Sequence, residues 1–240
     1  MNYLMTLNIG NYLHQNVRES YTDACKRWGI GYYEITTNYN PAQDLCFNKV
    51  LGIRDFINKN SGVRGILYMD ADMLIRSDAP NPFTHFNDRN YVYGTKDYDS
   101  TRWDKHSKSY LNVRDDVATP WVREVNKKSG LGFSNEEVEN CTDWFINAGL
   151  FLMYVPESIY ELDMFISEIP NDLFHSRYEQ ALWNCILKKR NKLKYISSTW
   201  NRINPELEDG YMKSYIYHFT GFEDYCKIVK KKENVFNWKV

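Results

Sequence analysis

Two aspartates, Asp70 and Asp72, stand one residue apart in ILYMDADMLI, Ile66 to Ile75, with an apolar run on each side. Two carboxylates set this closely in a core cannot both be desolvated cheaply, because an unpaired buried charge is costly and like charges repel. A divalent cation removes the difficulty. Mg²⁺ and Mn²⁺ take hard oxygen ligands, and Mg²⁺ is typically held by one or two carboxylates together with substrate phosphates. The chemistry indicated is a metal site facing a phosphate-bearing substrate. The alternative is that the pair caps the following turn or meets a local cation such as Arg76.

The elements around the pair decide where it lies. Tyr3 to Ile9 is a short apolar run closed by Gly10 and Asn11, and it reads as a buried strand. From about Asn16 to Trp28, Val17, Tyr21, Ala24, Cys25 and Trp28 recur at helical spacing, and Gly29 stops the helix. Gly31 to Thr36 returns to strand character. A second amphipathic helix is expected from about Asp44 to Asn58, ended by NKNSG, and Gly65 to Met69 is the apolar strand that runs into DAD. Alternating strands and helices predict a helix-covered, mostly parallel sheet. In such sheets ligands sit beyond the carboxyl ends of the strands, which is where Asp70 and Asp72 fall.

Further along, the polar segment from about Tyr98 to Asn140 reads as a long insertion of loops with one helix near Asp116 to Lys127. Trp144 to Tyr154 is the second strongly apolar strand. Helices are expected at Pro156 to Ile169 and Tyr178 to Lys189, short strands at Lys194 to Ile196 and Tyr215 to His218, and a last helix from about Phe222 to Lys232.

Composition narrows the function classes. A chain of 240 residues suits one α/β domain. We expect a single domain over 1–240, with a donor-nucleotide half at about 1–95 and an acceptor and sugar half at about 96–240. Thirty basic against thirty-one acidic residues give no electrostatic footprint for nucleic acid. The basic run KIVKKK, Lys227 to Lys232, reads as a solvated helix face, with attraction to an anionic surface as the alternative. Five scattered cysteines without CxxC spacing fit a reducing compartment. No apolar run approaches the ~20 residues that span a bilayer, and MNYLMTLNIG lacks the pattern of a signal peptide. A soluble, cytoplasmic protein is expected, of bacterial or viral origin by its size. Nineteen tyrosines and seven tryptophans offer rings for sugar stacking, although aromatics also fill cores.

With DAD behind its core strand, the sequence resembles the GT-A glycosyltransferases, and within them the family 8 type that includes glycogenin and bacterial galactosyltransferases. Short motifs in the family order carry the likeness over most of the chain. TLNIGNY, Thr6 to Tyr12, is similar to the donor-nucleotide strand and turn, which makes Thr6, Leu7, Asn8 and Tyr12 candidate contacts to the uracil and ribose of a UDP-sugar; as plain sequence, Asn8 and Gly10 form a turn. Lys49 and Arg54 match a place where such families set a cation near phosphate or ribose, and solvated side chains are the alternative. The resemblance assigns Asp70, Ala71 and Asp72 to the metal and donor.

FINAGLFLM, Phe145 to Met153, is similar to the FNxGxxL strand, which sets Asn147 beside the transferred sugar with the small Ala148 and Gly149 behind it. YEQALWN, Tyr178 to Asn184, resembles DQDxLN and places Glu179 and Gln180 near the sugar hydroxyls, with Glu179 as a helix-start carboxylate at the dipole as the alternative. WNRI, Trp200 to Ile203, resembles the family's WN step. YHFTG, Tyr217 to Gly221, resembles HxxG, in which His218 is the third metal ligand and the Gly221 amide approaches phosphate. The family's continuation to KPW is broken here by FEDYCK, where Lys227 is the nearest lysine.

The resemblance implies Mn²⁺ or Mg²⁺ on Asp70, Asp72 and His218, and a UDP-hexose donor. Asn147, Glu179 and Gln180 would orient the sugar, and a glycan or glycoprotein would accept it with retained anomeric configuration. An inverting enzyme would need a carboxylate base, for which Asp97, Asp143 and Glu179 are candidates. Trp103, Trp121 and Trp144 are candidates to meet the acceptor. Two rivals stand beside this reading. An NDP-sugar-forming nucleotidyltransferase would want a glycine-rich, cation-bearing loop after the first strand, which TLNIGNYLHQN lacks. The other is a nucleotide- or sugar-binding module without catalysis.

Overall fold

The computed structural model describes residues 1–97, 107–170, 176–203 and 214–218, with the backbone alone at 107–117, 176, 202 and 203. In chain order the elements are β1 (Asn2–Leu7), α1 (Gln15–Trp28), β2 (Gly31–Ile35), α2 (Asn48–Lys59), β3 (Gly65–Met69), β4 (Met73–Ile75), α3 (Pro82–His85), β5 (Val92–Lys96), α4 (Ser107–Ser129), α5 (Asn135–Glu139), β6 (Ile146–Tyr154), α6 (Ile159–Ser167), α7 (Ser176–Lys189), β7 (Leu193–Ile196), β8 (Arg202–Ile203) and β9 (Ile216–His218). The helix expected from Phe222 lies outside the described residues.

Among the described residues, six strands form the main sheet in the order β2-β1-β3-β6-β5-β7. β1 is parallel to both β2 and β3, β5 is parallel to β7, and β6 is antiparallel to the neighbours on its two sides. Among the described strands of this sheet, β6 alone runs against the rest, so the expectation of a mostly parallel, helix-flanked sheet is met. Burial follows from that arrangement. Every residue of β3 and of β6 is buried, as strands covered on both faces must be. On one face Met5, Ile66, Tyr68, Phe151 and Met153 pack with side chains of α2, α6 and α7. On the other, Leu4, Leu67, Met69 and Leu152 pack against Val17, Tyr21 and Ala24 of α1.

The helix over Gln15–Trp28 begins where the His14 ring accepts from the Asn16 amide and ends at Gly29, whose φ of 66° is the left-handed conformation that glycine adopts freely. The helix expected from Asp44 starts as a short 3-10 turn over Leu45–Phe47, capped by Asp44, before α2 takes over. One expectation fails in degree. The segment read as an insertion of loops holds the 23-residue α4 and the short α5. Among the described side chains of α4, Ala118, Val122 and Val125 are buried against the rest of the core, while Pro120 and a dense polar face obscure the period.

A second sheet matters more for the site. β4, β9 and β8 form three strands in the order β4-β9-β8, with β4 antiparallel to β9 and β8 parallel to it. Only Asp70, Ala71 and Asp72 separate the end of β3 at Met69 from the start of β4 at Met73. The DAD turn is therefore the passage from the large sheet into the small one. No described helix is long and apolar enough to cross a membrane.

Candidate active site

At the end of β3 the backbone amide of Asp70 donates to the Gly149 carbonyl at 2.8 Å, and the Tyr21 hydroxyl donates to the Asp70 carbonyl. The DAD turn is thus tied to β6 and to α1. Asp72 then leads directly into β4, whose Met73 lies opposite His218 of β9 in the antiparallel register. That pairing is what brings a residue near the end of the chain beside the turn. One ligand atom each from Asp70, Asp72 and His218 lie within 4.8 Å of one another. His218 is buried, with its side chain 4% exposed, while Asp72 is 25% exposed, so the cluster opens toward solvent through the aspartates.

The donor set fits a hard or borderline divalent ion. His218 Nε2 stands 3.3 Å from Asp72 Oδ1, yet the geometry makes no hydrogen bond, and that buried oxygen has no hydrogen-bond partner among the described residues. An orphaned carboxylate oxygen beside an imidazole nitrogen is the arrangement a cation completes. Asp70 Oδ1 accepts from the Tyr68 hydroxyl at 2.9 Å. Behind the cluster lies Gly149. A Cβ there would come 2.6 Å from Asp70 Oδ2, 2.7 Å from His218 Cε1 and 2.9 Å from Asn147 Oδ1, so only glycine fits at this wall.

Asn147 is buried. Its amide donates to Asp97 Oδ1 at 3.0 Å, and its carbonyl accepts from the Gly149 amide at 3.1 Å and from Asn201 Nδ2 at 3.2 Å. Gln180 donates to Asp97 Oδ2 at 3.3 Å and accepts from the Ala148 amide at 3.3 Å. Asn201 in turn faces His218 Nδ1 at 3.1 Å. Gln180, Asn147 and His218 thus belong to one network. Asp97 follows β5 directly, just beyond the point where the β5–β6 register shifts between Gly94 and Lys96.

Lys49 and Glu179 are placed differently from the expectation that they meet donor and sugar. They form a buried pair, Nζ to Oε2 at 3.2 Å, and Lys49 also donates to the Ala148 carbonyl at 3.2 Å. Burial pushes the Glu179 carboxyl up to about 7 against the pull of Lys49. For Lys49, burial works to lower the ammonium, and Glu179 and Asp70 outweigh it. The longer glutamate, where the family motif has aspartate, reaches this lysine. Arg54 is further away in role: it grips Asp163 at 2.7 and 3.3 Å on the outside of α2.

At the end of β1, Thr6 is buried with its hydroxyl unpartnered among the described residues, Leu7 is half-buried, and Tyr12 is exposed. Asn8 spends both ends of its amide on the protein, donating to Glu34 at 2.6 Å and accepting from the Leu13 amide at 3.0 Å. It shapes the loop after β1. Glu34, which the sequence reading passed over, takes Asn8, a two-pronged Arg18 at 2.7 and 3.0 Å, and the Tyr32 hydroxyl at 2.9 Å. Arg18 above all holds this carboxyl below the usual range, against burial. Its position as the polar residue near the end of a strand, in GYYEI, was the available signal.

Of the aromatic candidates, Trp144 is buried, stacked on Phe133 at 5.6 Å, with its indole donating to the Glu137 carbonyl, and Trp121 packs edge-on to buried Tyr178. Both are packing residues here. Trp103, Gly221 and Lys227 lie outside the described residues.

No protein-family model matches the sequence, and no curated protein matches it. Solved structures do. A glycosyltransferase involved in the glycosylation of the major capsid of PBCV-1 aligns over 96% of this chain and 98% of its own, with 12% identity and a TM-score of 0.63. The shared fold is GT-A. The galactosyltransferase LgtC, solved with donor and acceptor sugar analogues, aligns over 96% of both chains at 12% identity and a TM-score of 0.43. The bifunctional glycosyltransferase WbbM aligns over 96% of this chain and 49% of its own, at 12% identity and a TM-score of 0.48. Within the GT-A fold, the Asp70, Asp72 and His218 cluster lies where the sequence places it, at the carboxyl end of β3.

Proposed function

We propose that this chain is a metal-dependent glycosyltransferase that moves a hexose from a UDP-sugar to a hydroxyl of a glycan or glycoprotein. The observation that supports it most is the meeting of Asp70, Asp72 and His218, from elements far apart in sequence, around an orphaned carboxylate oxygen. Likeness in fold to a glycosyltransferase involved in the glycosylation of the major capsid of PBCV-1 is in keeping with a glycoprotein acceptor.

In this reading Asp70, Asp72 and His218 would hold Mn²⁺ or Mg²⁺, which would supply electrostatic and Lewis-acid stabilisation to a leaving diphosphate. Thr6 and Leu7 at the end of β1 receive the nucleotide together with Tyr12, which lies on the loop that Asn8 and Glu34 shape. Gln180 and Asn147 face the sugar from the Asp97 side. Lys49, paired with Glu179, holds the Ala148 carbonyl, and the family resemblance assigns the Gly221 amide to the phosphate. Retention of configuration is favoured by the state of the carboxylates. Asp97 is engaged by two amides and Glu179 is buried with Lys49, so neither presents a free base to an acceptor. Asp143 is exposed and is the remaining candidate for inversion.

The test is a screen of NDP-sugars for Mn²⁺-dependent donor hydrolysis, with Asp72→Ala alongside. UDP-hexose hydrolysis that chelator and Asp72→Ala both abolish is expected. UDP binding by calorimetry that ignores Mn²⁺ and survives Asp72→Ala would leave a binding module in place of the enzyme.

A further inference from the structure

A histidine binds a metal through a nitrogen that carries no proton, so the proton must sit on the other one. Which nitrogen of His218 carries it can be deduced from hydrogen-bond direction. A backbone N–H can only donate, so the atom of Asn147 that faces the Gly149 amide at 3.1 Å is the carbonyl oxygen. The other end of Asn147 must then be the amide, and it faces Asp97 Oδ1, an acceptor, at 3.0 Å. Both anchors agree on the orientation.

The same Asn147 oxygen meets Asn201 at 3.2 Å, so the Asn201 atom there is its amide nitrogen. That leaves the Asn201 oxygen toward His218 Nδ1 at 3.1 Å. An amide oxygen only accepts, so Nδ1 must carry the proton. In the neutral ring Nε2 is then the nitrogen with the free lone pair, and it is the one 3.3 Å from Asp72 Oδ1.

We infer that Asn201 is a positioning residue that fixes His218 in its Nδ1–H tautomer and leaves Nε2 ready to ligate, its own direction being imposed through Asn147 by Asp97 and the Gly149 amide. Asn147, Asn201 and His218 are all 6% exposed or less, so water does not compete readily for these bonds. The inference rests on reading His218 as a metal ligand, but its first test does not need the metal.

The experiment uses the whole chain with ¹⁵N-labelled histidine at a pH of about 8, above the ordinary histidine range, with the His218 signals assigned by their loss in His218→Gln. In metal-free protein a single Nδ1–H tautomer is expected. Asn201→Ala should bring in the Nε2–H form and weaken Mn²⁺ binding about 10- to 100-fold, as loss of a partner behind a metal ligand does. Asn201→Asp, which still accepts from Nδ1–H, should keep the tautomer, whereas a role in packing alone would not separate these two variants. The Nε2–H form in the unaltered protein overturns the inference, and so does a tautomer that Asn201→Ala leaves unmoved. A fixed Nδ1–H tautomer with no Mn²⁺ uptake upholds it and removes the metal reading. Mn²⁺ uptake by an Nε2–H ring does the reverse.

Discussion

A methyl group at residue 149 would enter the space between Asp70, His218 and Asn147, at 2.6 to 2.9 Å from each. Asp70 and His218 are fixed from behind, by Tyr68 and Asn201, so neither can withdraw without losing a bond. Gly149→Ala should therefore fold, at a cost of about 1–3 kcal/mol for overpacking, and lose at least about tenfold in Mn²⁺ affinity because two ligands are pushed apart. Denaturant melts and calorimetric titration of the same sample measure the two effects separately. Unchanged Mn²⁺ affinity would mean that the ion, if bound, does not use this wall. The Lys49–Glu179 pair teaches the opposite lesson at this scale. Charges that sequence motifs assign to a ligand can be consumed by each other when both are buried, as these are at 4% and 2% exposure.

Strand β6 illustrates how an element is held where its ladder runs out. Its first residue, Ile146, is buried, and Asn184 of α7 reaches it with both ends of its amide, accepting from Ile146 N at 2.6 Å and donating to Ile146 O at 2.9 Å. Asn184→Ala should strip both partners from a buried peptide group. With an unpaired buried donor or acceptor costing about 1–3 kcal/mol each, a loss of about 2–6 kcal/mol is expected in urea unfolding, and a loss under about 0.5 kcal/mol would show that water replaces the amide. An asparagine in the middle of ALWNCILKK was a legible sign that some backbone group needed a partner. Legibility elsewhere followed range. Apolar runs and helical spacing located β1, α1, β3, β6 and α7, and their alternation put Asp70 and Asp72 at a strand end. The reversed direction of β6 and the three-residue β4 leave no such periodic trace. His218 came to the site only by family resemblance, because what delivers it is the pairing of Met73 with His218 across the chain. Asn201 was visible only as part of a motif, and Asp97 only as a possible base, since their bonds join residues 54 and 50 positions from Asn147.

Across the whole molecule, the candidate metal ligands join the two sheets. Asp70 and Asp72 lie on the passage from β3 to β4, and His218 is in β9, so an ion bound by all three ties the small sheet to the large one. An unfolded chain cannot present these groups together, so binding must stabilise the fold by mass action: about 2.7 kcal/mol at a hundredfold excess over Kd. For a chain of 240 residues, where each kcal/mol moves Tm by about 2–4 °C, saturating Mn²⁺ should raise Tm by about 5–10 °C. Asp72→Ala and His218→Ala should each remove that shift, because each takes away a ligand. Arg54→Ala, on the far side of α2 with Asp163 as its partner, should keep it. If the unaltered protein melts at the same temperature with and without Mn²⁺ while calorimetry records binding, the ion sits on groups that the unfolded chain holds equally well. The bridge between the sheets would then be lost as an explanation of how the site is assembled.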